Sequence, residues 1–396
     1  MLIDCIMRQA QKAESLEYFQ NHLKAIRVAR GFSQGELAGK SGITRQAISA
    51  IESGLYLPTT AVALRLAAAL SCRVEDLFSL KEAEEVIEGR LIGQLPRRDE
   101  KICTVRVKVA RVGARMIVRP VTELGEVLSY SVPADGYAMN VQGQESGARV
   151  RVTLSRDRQA IEEEISVAGC DPAIFLAGAH LRQGKDQTSI VGWTMGSMAA
   201  LRALQGGEVH VAGLHLFDPA TGESNLPFLR RALKNVNYDV VTFATWEEGF
   251  LVRSGNPKSI RGIADVADPL VTLVNREEGA GARLLLDQRL RTAGINSAQV
   301  RGYETTVSSH FEVARAIASH QADVGIGIRS AAQLFGLDFV PLQAARYDLV
   351  VPQAYLKSHP TLAHLFDTIV SRSFRAEIDA LGGYDTTSTG TVHSLT

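Results

Sequence analysis

The first 80 residues carry apolar positions at helical spacing. Leu16, Phe19, Leu23 and Ile26 follow one another at steps of three or four, as one buried face of a helix requires. Further short helical patterns follow as far as Leu80. The pattern predicts an all-α domain over residues 1–80.

The pattern changes twice within residues 81–164. Residues 81–101 are polar and charged and end in a Pro-Arg-Arg-Asp run, which is typical of a linker. From Ile102 apolar and polar residues alternate with a period of two, in ICTVRVKVARVGARMIVRP and later in ARVRVTL. Residues 81–164 are therefore predicted to form a linker and a small β connector module.

Residues 165–396 alternate short apolar strands with helices, one of them over residues 281–292, and this rhythm predicts a parallel α/β sheet. The long strand-like segment 237–253 interrupts the rhythm, which then resumes and ends with LDFVPL, YDLVVP and a C-terminal helix. We expect two α/β lobes, with the long segments crossing between them. The fold class is therefore multidomain: a helical domain, a β connector and a two-lobed α/β domain.

Composition narrows the classes of protein that fit this pattern. The chain has 396 residues, 43 basic against 43 acidic side chains and 45% hydrophobic residues. This length predicts two or three domains, and the balance of charge excludes a disordered or highly charged chain. Any contact with nucleic acid must therefore be local.

The four cysteines, Cys5, Cys72, Cys103 and Cys170, lie far apart in the sequence. Their spacing predicts neither a disulfide framework nor a zinc cluster, and we expect no metal site. The sequence shows no secretory signal pattern and no run of about 18 apolar residues. We expect a cytoplasmic protein with no membrane partner.

A pair of short helices is predicted near residue 40. Ser33 and Glu36 form a capping-box pattern, so a helix should begin at Gln34 and end near Gly42, with a second helix starting at Thr44. Backbone N–H groups at the start of the first helix are suited to a phosphate.

The second helix has one apolar and one polar side. Ile43, Ala47, Ile48 and Ile51 supply a buried stripe. The opposite side carries Arg, Gln, Ser and Thr, which can donate to or accept from base edges. The candidate DNA-contacting residues are Ser33, Gln34, Thr44, Arg45, Gln46 and Ser49.

The run S-Q-x-x-L-A-x-x-x-G-I-x-x-x-x-I-S-x-x-E-x-G over residues 33–54 resembles the helix-turn-helix of Cro-repressor (XRE-type) regulators. The resemblance implies that the second helix enters the major groove of double-stranded operator DNA and that two protomers bind a two-fold site as a homodimer or higher homo-oligomer. Residues 1–80 carry nine basic and seven acidic side chains, a net charge of only plus two. The alternative is a helical bundle whose polar helix face is merely solvated.

Strand-to-helix turns supply the candidate ligand site, because ligands of open α/β sheets bind at the carboxyl ends of strands. These turns lie at residues 169–172, 194–197, 215–218 and 275–283. The small residues at 196–197 and 279–281 expose backbone N–H groups, which could hold an anion from both lobes.

Residues 165–396 resemble the periplasmic-binding-protein-like (type II) domain of regulators related to molybdate-binding proteins, through runs such as GEVHVAGLHLFDPATGESN and VNREEGAGARLLLDQRL. The resemblance implies a hinged domain that closes on a small-molecule effector. The cleft candidates it implies are Cys170, Asp171, Thr194, Ser197, His215, Arg276, Gly279, Ala280, Arg283, His310 and Tyr347.

Two turns depart from the molybdate-like pattern. Gly169-Cys170-Asp171 stands where relatives often have Ser-His-Asp, and Gly279-Ala280-Gly281 where they often have Gly-Ser-Gly. Each change removes a polar side chain, and bound oxyanions need donors. An oxyanion such as molybdate is the favoured effector. A small organic acid, sulfonate or amino acid, or a ligand-free assembly domain, are the alternatives.

Several cleft candidates also have structural interpretations. Asp171 is suited to capping a helix that Pro172 begins, and this is favoured over contact with a ligand ammonium group. Arg283 could clamp an anion or pair with Glu277 or Asp287.

The other nucleophilic or basic candidates are equally open to a structural role. His215 and His310 are more often packed residues than ligands. Cys170 is expected to be a small buried residue rather than a reactive thiol.

The middle module resembles the C-terminal β domain of molybdopterin molybdenumtransferases through an A-D-G turn at residues 134–136 and a G-x-x-V-x-V strand at residues 147–152. The rest of that enzyme is absent, and a β spacer is the preferred interpretation. Nucleophile-elbow, metalloprotease and phosphate-loop motifs are absent from the sequence. We expect a regulator rather than an enzyme, without a cofactor.

Overall fold

The computed structural model describes residues 19–80, 85–93, 104–139, 145–183 and 189–395. They form two compact units whose boundary falls between Glu85 and Val86. Each unit has its own apolar core. Among the described residues, no helix combines the length and apolarity needed to cross a membrane.

In the first unit, the described residues 19–80 form five short helices and a pair of strands. Its helices are α1 (Leu23–Ala29), α2 (Gln34–Ser41), α3 (Arg45–Glu52), α4 (Thr60–Leu70) and α5 (Val74–Leu77). Leu37, Ile48, Ile51 and Leu66 are fully buried and form the centre of the core. Burial of this apolar surface, rather than helix propensity, stabilises helices of only four to eleven residues.

The expectation of an all-helical start is wrong at both ends of this unit. Strand β1 (Phe19–Asn21) pairs antiparallel with β2 (Phe78–Leu80). Phe19 therefore belongs to a strand, and the helical spacing begins only at Leu23; Leu16 lies outside the described residues. The two strands satisfy each other's backbone groups, a pairing that local spacing does not encode.

A closed five-stranded β barrel begins the second unit. The period-two pattern predicted a β module from residue 102, but the first barrel strand lies at Val86–Leu91, within the segment predicted to be a linker. Its strands, in the order β3-β5-β4-β6-β7, are β3 (Val86–Leu91), β4 (Val105–Val112), β5 (Arg115–Pro120), β6 (Gly136–Ala138) and β7 (Arg149–Leu154). Alternate side chains such as Val107, Val118 and Val152 fill the interior. A 3-10 turn (Val121–Leu124) and helices α6 (Glu126–Ser131) and α7 (Arg158–Glu162) complete the module.

Parallel strands follow the barrel and form the first lobe of the α/β region. They are β8 (Ile165–Gly169), β9 (Ile190–Thr194) and β10 (Val211–Leu214), with β8 between the other two. The lobe also contains α8 (Ile174–Gln183), α9 (Ser197–Gln205), β11 (Phe217–Asp218), β12 (Glu223–Ser224) and α10 (Leu226–Ala232).

Two long antiparallel strands cross from the first lobe to the second, as expected for the segment 237–253. They are β13 (Tyr238–Val252) and β17 (Asp338–Pro352), each 15 residues long. β10 pairs with the end of β17, whereas β16 (Val324–Ile328) pairs with the end of β13. One continuous sheet therefore serves both lobes.

The second lobe lies between these two strands in the sequence. Its elements are a 3-10 turn (Ile263–Ala267), β14 (Asn275–Arg276), α11 (Gly281–Thr292), a 3-10 turn (Ser297–Gln299), β15 (Thr306–Val307), α12 (His310–Ala318), β16 and α13 (Arg329–Leu334). Residues including Leu286, Val300 and Ile326 form its core.

The chain ends with more structure than the single helix expected from sequence. The elements after β17 are α14 (Gln353–Ser358), α15 (Leu362–Val370), α16 (Arg372–Ala380), β18 (Tyr384–Asp385) and β19 (Val392–Leu395). Both short strands add to β13. The C-terminal segment thus covers the strand that links the lobes.

Candidate nucleic-acid interface and ligand cleft

Side-chain caps fix the two helices around residue 42. The Ser33 hydroxyl accepts the Glu36 backbone N–H at 3.2 Å, and the Glu36 carboxylate accepts the Ser33 N–H at 2.7 Å. Gly42 has φ of 64°, a left-handed conformation that favours glycine, and it ends α2. The Thr44 hydroxyl then caps α3 by accepting the Ala47 N–H at 3.1 Å.

Helix α3 exposes the predicted polar side. Ile48 and Ile51 are buried against the core, whereas Thr44, Arg45, Gln46 and Ser49 are exposed. Helix α3 therefore presents a free guanidinium, amide and hydroxyl to solvent on one side, the groups that read base edges.

Gln34 is held by a buried ion pair. The Arg27 guanidinium donates to both oxygens of the Glu52 carboxylate at 2.6 and 3.0 Å, and Gln34 donates to the same carboxylate at 2.9 Å. Arg27 also donates to the Phe32 carbonyl at 2.7 Å. These contacts join α1, α2 and α3 into one rigid arrangement, and sequence reasoning singled out neither Arg27 nor Glu52.

In the α/β region, predicted cleft residues meet at the carboxyl ends of neighbouring strands. Cys170 follows β8, Thr194 ends β9 and His215 follows β10. Ser197 begins α9, and its hydroxyl accepts the His215 backbone N–H at 3.1 Å. The hydroxyl of Ser197 is therefore already used within the first lobe.

The two lobes touch through their small residues. The Met198 N–H at the start of α9 donates to the Gly279 carbonyl at 3.1 Å. A Cβ atom on Gly196 would lie 3.0 Å from the Cα of Ala280 and 2.7 Å from a carboxylate oxygen of Glu277. The lobes are therefore in contact across the cleft, and glycine at position 196 permits this approach.

Four rings cluster where the lobes meet. The His215 ring centroid lies 5.2 Å from that of Trp246, 5.7 Å from that of His310 and 6.2 Å from that of Tyr347. The Tyr347 hydroxyl reaches between Gly169 and Gly213, where added Cβ atoms would lie 2.2 and 1.8 Å from it. The predicted residues His215, His310 and Tyr347 thus come together.

Charge is unevenly distributed around the two histidines. His215 Nδ1 lies 2.9 Å from a Glu248 carboxylate oxygen, and both side chains are buried. Burial lowers the pKa of His215, but Cys170 and Glu248 outweigh it and raise that pKa to about 10. Burial, with Arg276 and His215 nearby, holds the pKa of His310 well below its usual range. The pKa values of these two neighbouring imidazoles are therefore shifted in opposite directions.

Asp171 makes the contacts expected of a helix cap. Its Oδ1 accepts the Ala173 backbone N–H at 3.0 Å and the Tyr384 hydroxyl at 2.9 Å, close to the start of α8. Burial raises its pKa to about 6, opposed by these two donors and by His215. Its Oδ2 has no hydrogen-bond partner among the described residues.

The two arginines among the predicted cleft residues differ in whether their guanidinium groups are fully used by hydrogen bonds within the described part of the chain. Arg276 donates to both carboxylate oxygens of Glu277 at 2.8 and 2.9 Å and to the Ser308 carbonyl at 3.0 Å. Its Nη1 is buried and has no hydrogen-bond partner in the described part of the chain.

Arg283 is occupied within the second lobe. It stacks 3.9 Å above the Tyr303 ring, and its Nε lies 3.3 Å from the Asp287 carboxylate, one of the two partners expected from sequence. Its Nη1 donates to the Arg276 carbonyl at 3.3 Å. The guanidinium thus serves packing within the second lobe.

Among the described residues, one group of potential metal ligands lies in the cleft. The Cys170 Sγ and imidazole nitrogens of His215 and His310 lie within 4.8 Å of one another, and all three residues are buried. The sequence predicted no metal-ligand cluster, and these three residues, separated by 45 and 95 positions (215 minus 170, and 310 minus 215), share no sequence motif. Such spacing gives no signal before the fold is known.

Sequence reasoning also missed Glu248, Trp246 and Tyr384, which surround the same histidine and aspartate. Glu247 and Glu248 lie in the interior of the 15-residue strand β13 and are followed by the apolar residues Phe250, Leu251 and Val252. A buried charge in a strand interior needs a partner, so these two glutamates are the sequence feature that could have indicated a polar site here. Nothing in the sequence indicated that Trp246 and Tyr384 belong to the site, since aromatic residues are common in strands.

One unit of the chain is helical, with capped helices and an exposed polar helix. The other unit contains a two-lobed α/β region with a cleft. Together these features define a DNA-binding protein with a binding-protein-like domain. Residues 23–77 match the helix-turn-helix family, and residues 178–369 match the PBP superfamily domain.

Two relatives from Bacillus subtilis (strain 168) are similar to different parts of this chain. Protein YvgK is 33% identical over 228 residues, covering 58% of this chain and 73% of its own. The HTH-type transcriptional regulator YgzD is 41% identical over 63 residues, covering 16% of this chain and 96% of its own. The chain belongs to the XRE-type helix-turn-helix transcriptional regulators and carries a periplasmic-binding-protein-like domain.

A solved structure of the tungstate ABC transporter from Geobacter sulfurreducens is similar over 55% of this chain and 98% of its own. The two share 10% identity and superpose with a TM-score of 0.43.

Proposed function

We propose that this regulator is a cytoplasmic protein that binds operator DNA as a homodimer and senses a small solute in the cleft between the lobes of its second unit. The solute we favour is an oxyanion such as molybdate. Solute binding favours closure of the lobes and thereby shifts the dimer between DNA-competent and incompetent arrangements. Ser33, Gln34, Thr44, Arg45, Gln46 and Ser49 are the proposed DNA-contacting residues.

The observation that carries the oxyanion proposal is the free Nη1 of Arg276. A buried guanidinium nitrogen without an acceptor is rare, because an unsatisfied buried donor costs about 1–3 kcal/mol. An anionic oxygen would satisfy it, and guanidinium groups bind oxyanions strongly. Cys170, Asp171, Thr194, Tyr347 and His310 contribute to the proposed cleft wall.

The first test is calorimetric titration of the full chain with molybdate, tungstate, sulfate and phosphate, and with amino acids, sulfonates and small carboxylates. Tight binding of one or more inorganic oxyanions, lost in Arg276→Gln, supports the proposal. Arg301→Gln is the matched control, because Arg301 is an exposed arginine of the same lobe. Unchanged oxyanion affinity in Arg276→Gln would contradict the proposal.

The second test asks whether the solute acts on DNA binding. A ligand shifts a two-state equilibrium only by its differential affinity for the two states, and a tenfold preference corresponds to about 1.4 kcal/mol. Operator affinity should therefore change when the solute is saturating. Equal affinity with and without saturating solute would reject the regulatory part of the proposal.

A zwitterionic solute is the second candidate, favoured by the buried and unpartnered Oδ2 of Asp171. That oxygen is an acceptor suited to an ammonium group. Asp171→Asn should then weaken an amino acid while leaving an inorganic oxyanion unaffected or more tightly bound. A chain that binds none of these solutes would instead indicate a domain used only for assembly.

A further inference from the structure

Cys170, His215 and His310, here called the Cys-His-His cluster, converge from both lobes. Cys170 and His215 follow the adjacent parallel strands β8 and β10 of the first lobe, whereas His310 begins α12 in the second. Their relative exposures are 1%, 4% and 1%. One thiol and two imidazoles thus face one another away from solvent.

The imidazole nitrogens of the cluster are poorly satisfied by protein groups. Neither nitrogen of His310 and not Nε2 of His215 has a hydrogen-bond partner among the described residues. Buried polar side-chain atoms almost always have partners, so three such nitrogens in one place point to a ligand that the protein itself does not supply.

Glu248 has the position of a carboxylate that orients a metal-binding histidine. Its Oε1 lies 2.9 Å from His215 Nδ1, which leaves Nε2 as the nitrogen available to a ligand, and its Oε2 accepts from Gln343 at 3.2 Å. Metal-ligating histidines commonly use their second nitrogen in this way, and the partner fixes the orientation of the ring.

We propose that the Cys-His-His cluster binds a transition-metal ion of the zinc class. Thiolate and imidazole are the ligands that such ions prefer, and three protein ligands leave a fourth position open to an anionic oxygen. The inference rests on the proposed solute cleft and adds a cation to it. With His310 on one lobe and Cys170 and His215 on the other, the ion holds the lobes together.

The geometry requires only a small contraction. Zn–S bonds of about 2.3 Å and Zn–N bonds of about 2.0 Å at tetrahedral angles place the donor atoms about 3.3–3.5 Å apart. The cluster atoms lie within 4.8 Å of one another, so movements of about 1 Å bring them into range. A Cys-His pair acting as a nucleophile would leave His310 unexplained.

The test uses the full chain, freed of metal with a chelator and titrated with Zn²⁺ and, separately, with Co²⁺. We expect one ion per chain and, for Co²⁺, the ultraviolet charge-transfer absorption that a thiolate ligand produces. Cys170→Ser should abolish that band, and His310→Gln should weaken metal binding about 100-fold or more. Cys72→Ser is the matched control, because Cys72 is a free cysteine of the other unit.

Metal titration of the unaltered chain tests the inference even if a variant folds poorly. Absence of stoichiometric binding, or a Co²⁺ complex without the thiolate band, overturns the inference. Equal binding by Cys170→Ser, His310→Gln and Cys72→Ser also overturns it.

Titrating oxyanions into the metal-free and metal-loaded chain separates this inference from the proposed function. Oxyanion binding by a chain that binds no metal rejects the metal site and leaves the oxyanion sensor intact. Stoichiometric metal binding without any oxyanion binding supports the metal site and rejects the oxyanion. Oxyanion binding that strengthens with metal supports both.

Discussion

The Nδ1 atom of His210 accepts the backbone N–H of Ser166 at 3.0 Å, while its Nε2 lies 2.8 Å from the carbonyl oxygen of Arg111. Because Nδ1 accepts a hydrogen bond, the ring is neutral and Nε2 carries the proton. Ser166 belongs to the sheet and Arg111 to the barrel. One neutral imidazole therefore joins the barrel to the α/β sheet.

Lowering the pH should decrease the free energy of unfolding of the second unit because His210 is buried in its neutral form. The pKa of His210 is lowered to about 3, first by burial and then by the neighbouring His359 and the Arg111 charge, and the hydrogen bond to the Arg111 carbonyl opposes this shift. Tyr355 packs edge-on against the ring. Between pH 6.5 and pH 3 the unfolded chain binds a proton that the folded chain does not, so stability falls as the pH decreases. The loss is about 2 kcal/mol at pH 5 relative to pH 7.5.

Denaturant unfolding across this pH range measures the effect. His210→Gln should flatten the dependence of stability on pH below 6.5, whereas His393→Gln, an exposed histidine, should leave the slope as it is. An unchanged slope in His210→Gln would show that other groups cause the acid sensitivity.

Arg45→Ala should weaken specific DNA binding by about 10- to 100-fold, because a bidentate base contact contributes about 1–3 kcal/mol. Arg45 is exposed on α3, so stability should change little. Fluorescence anisotropy at fixed salt on a selected operator measures the loss. Lys24→Ala removes one positive charge outside α2 and α3 and should cost much less affinity; equal losses in the two variants would indicate general electrostatics alone.

Glu52→Ala should destabilise the first unit by about 2–3 kcal/mol, because it leaves the Arg27 guanidinium buried without its carboxylate. The same change releases Gln34 and should reduce operator affinity beyond the loss of stability. Thermal unfolding and DNA binding of Glu52→Ala and Glu75→Ala provide the comparison, since the Glu75 pair with Arg73 is exposed. Similar melting temperatures for both variants would contradict a structural role for Glu52.

Gly196→Ala should disfavour contact between the lobes without preventing folding. The φ of Gly196 is −64°, which alanine adopts readily, but the new Cβ would lie 3.0 Å from Ala280 across the cleft. We expect weaker solute binding and a larger radius of gyration by small-angle scattering. Gly262→Ala is the control, because its Cβ meets nothing within 4 Å; identical scattering from both variants would show that position 196 does not limit closure.

Local signals predicted the DNA-binding helices accurately. The Ser33 capping box and Gly42 gave the start and end of α2, and Thr44 gave the start of α3, because each is decided by neighbouring backbone groups. The β1–β2 pair was missed, since its strands lie almost 60 residues apart in sequence.

The cleft was predictable only in part. The rule that ligands gather at strand carboxyl ends placed Cys170 and His215 near each other. That His310 meets them depends on how α12 packs in the second lobe, and no local pattern records this. Arg283 was predicted to be a cleft residue, but it stacks on Tyr303, which is 20 positions away in the sequence. No local pattern indicated this contact.

Residues 253–337 follow β13 and precede β17, and the second-lobe ends of these two strands are paired, with Val252 opposite Asp338. The second lobe is therefore a nested insertion with adjacent entry and exit. Such an insertion can change in length, or be exchanged for that of a relative, while the apolar cluster that includes Leu201, Leu214 and Val350 is retained. A change in the solute that the domain recognises can therefore arise from changes within one uninterrupted stretch of the gene.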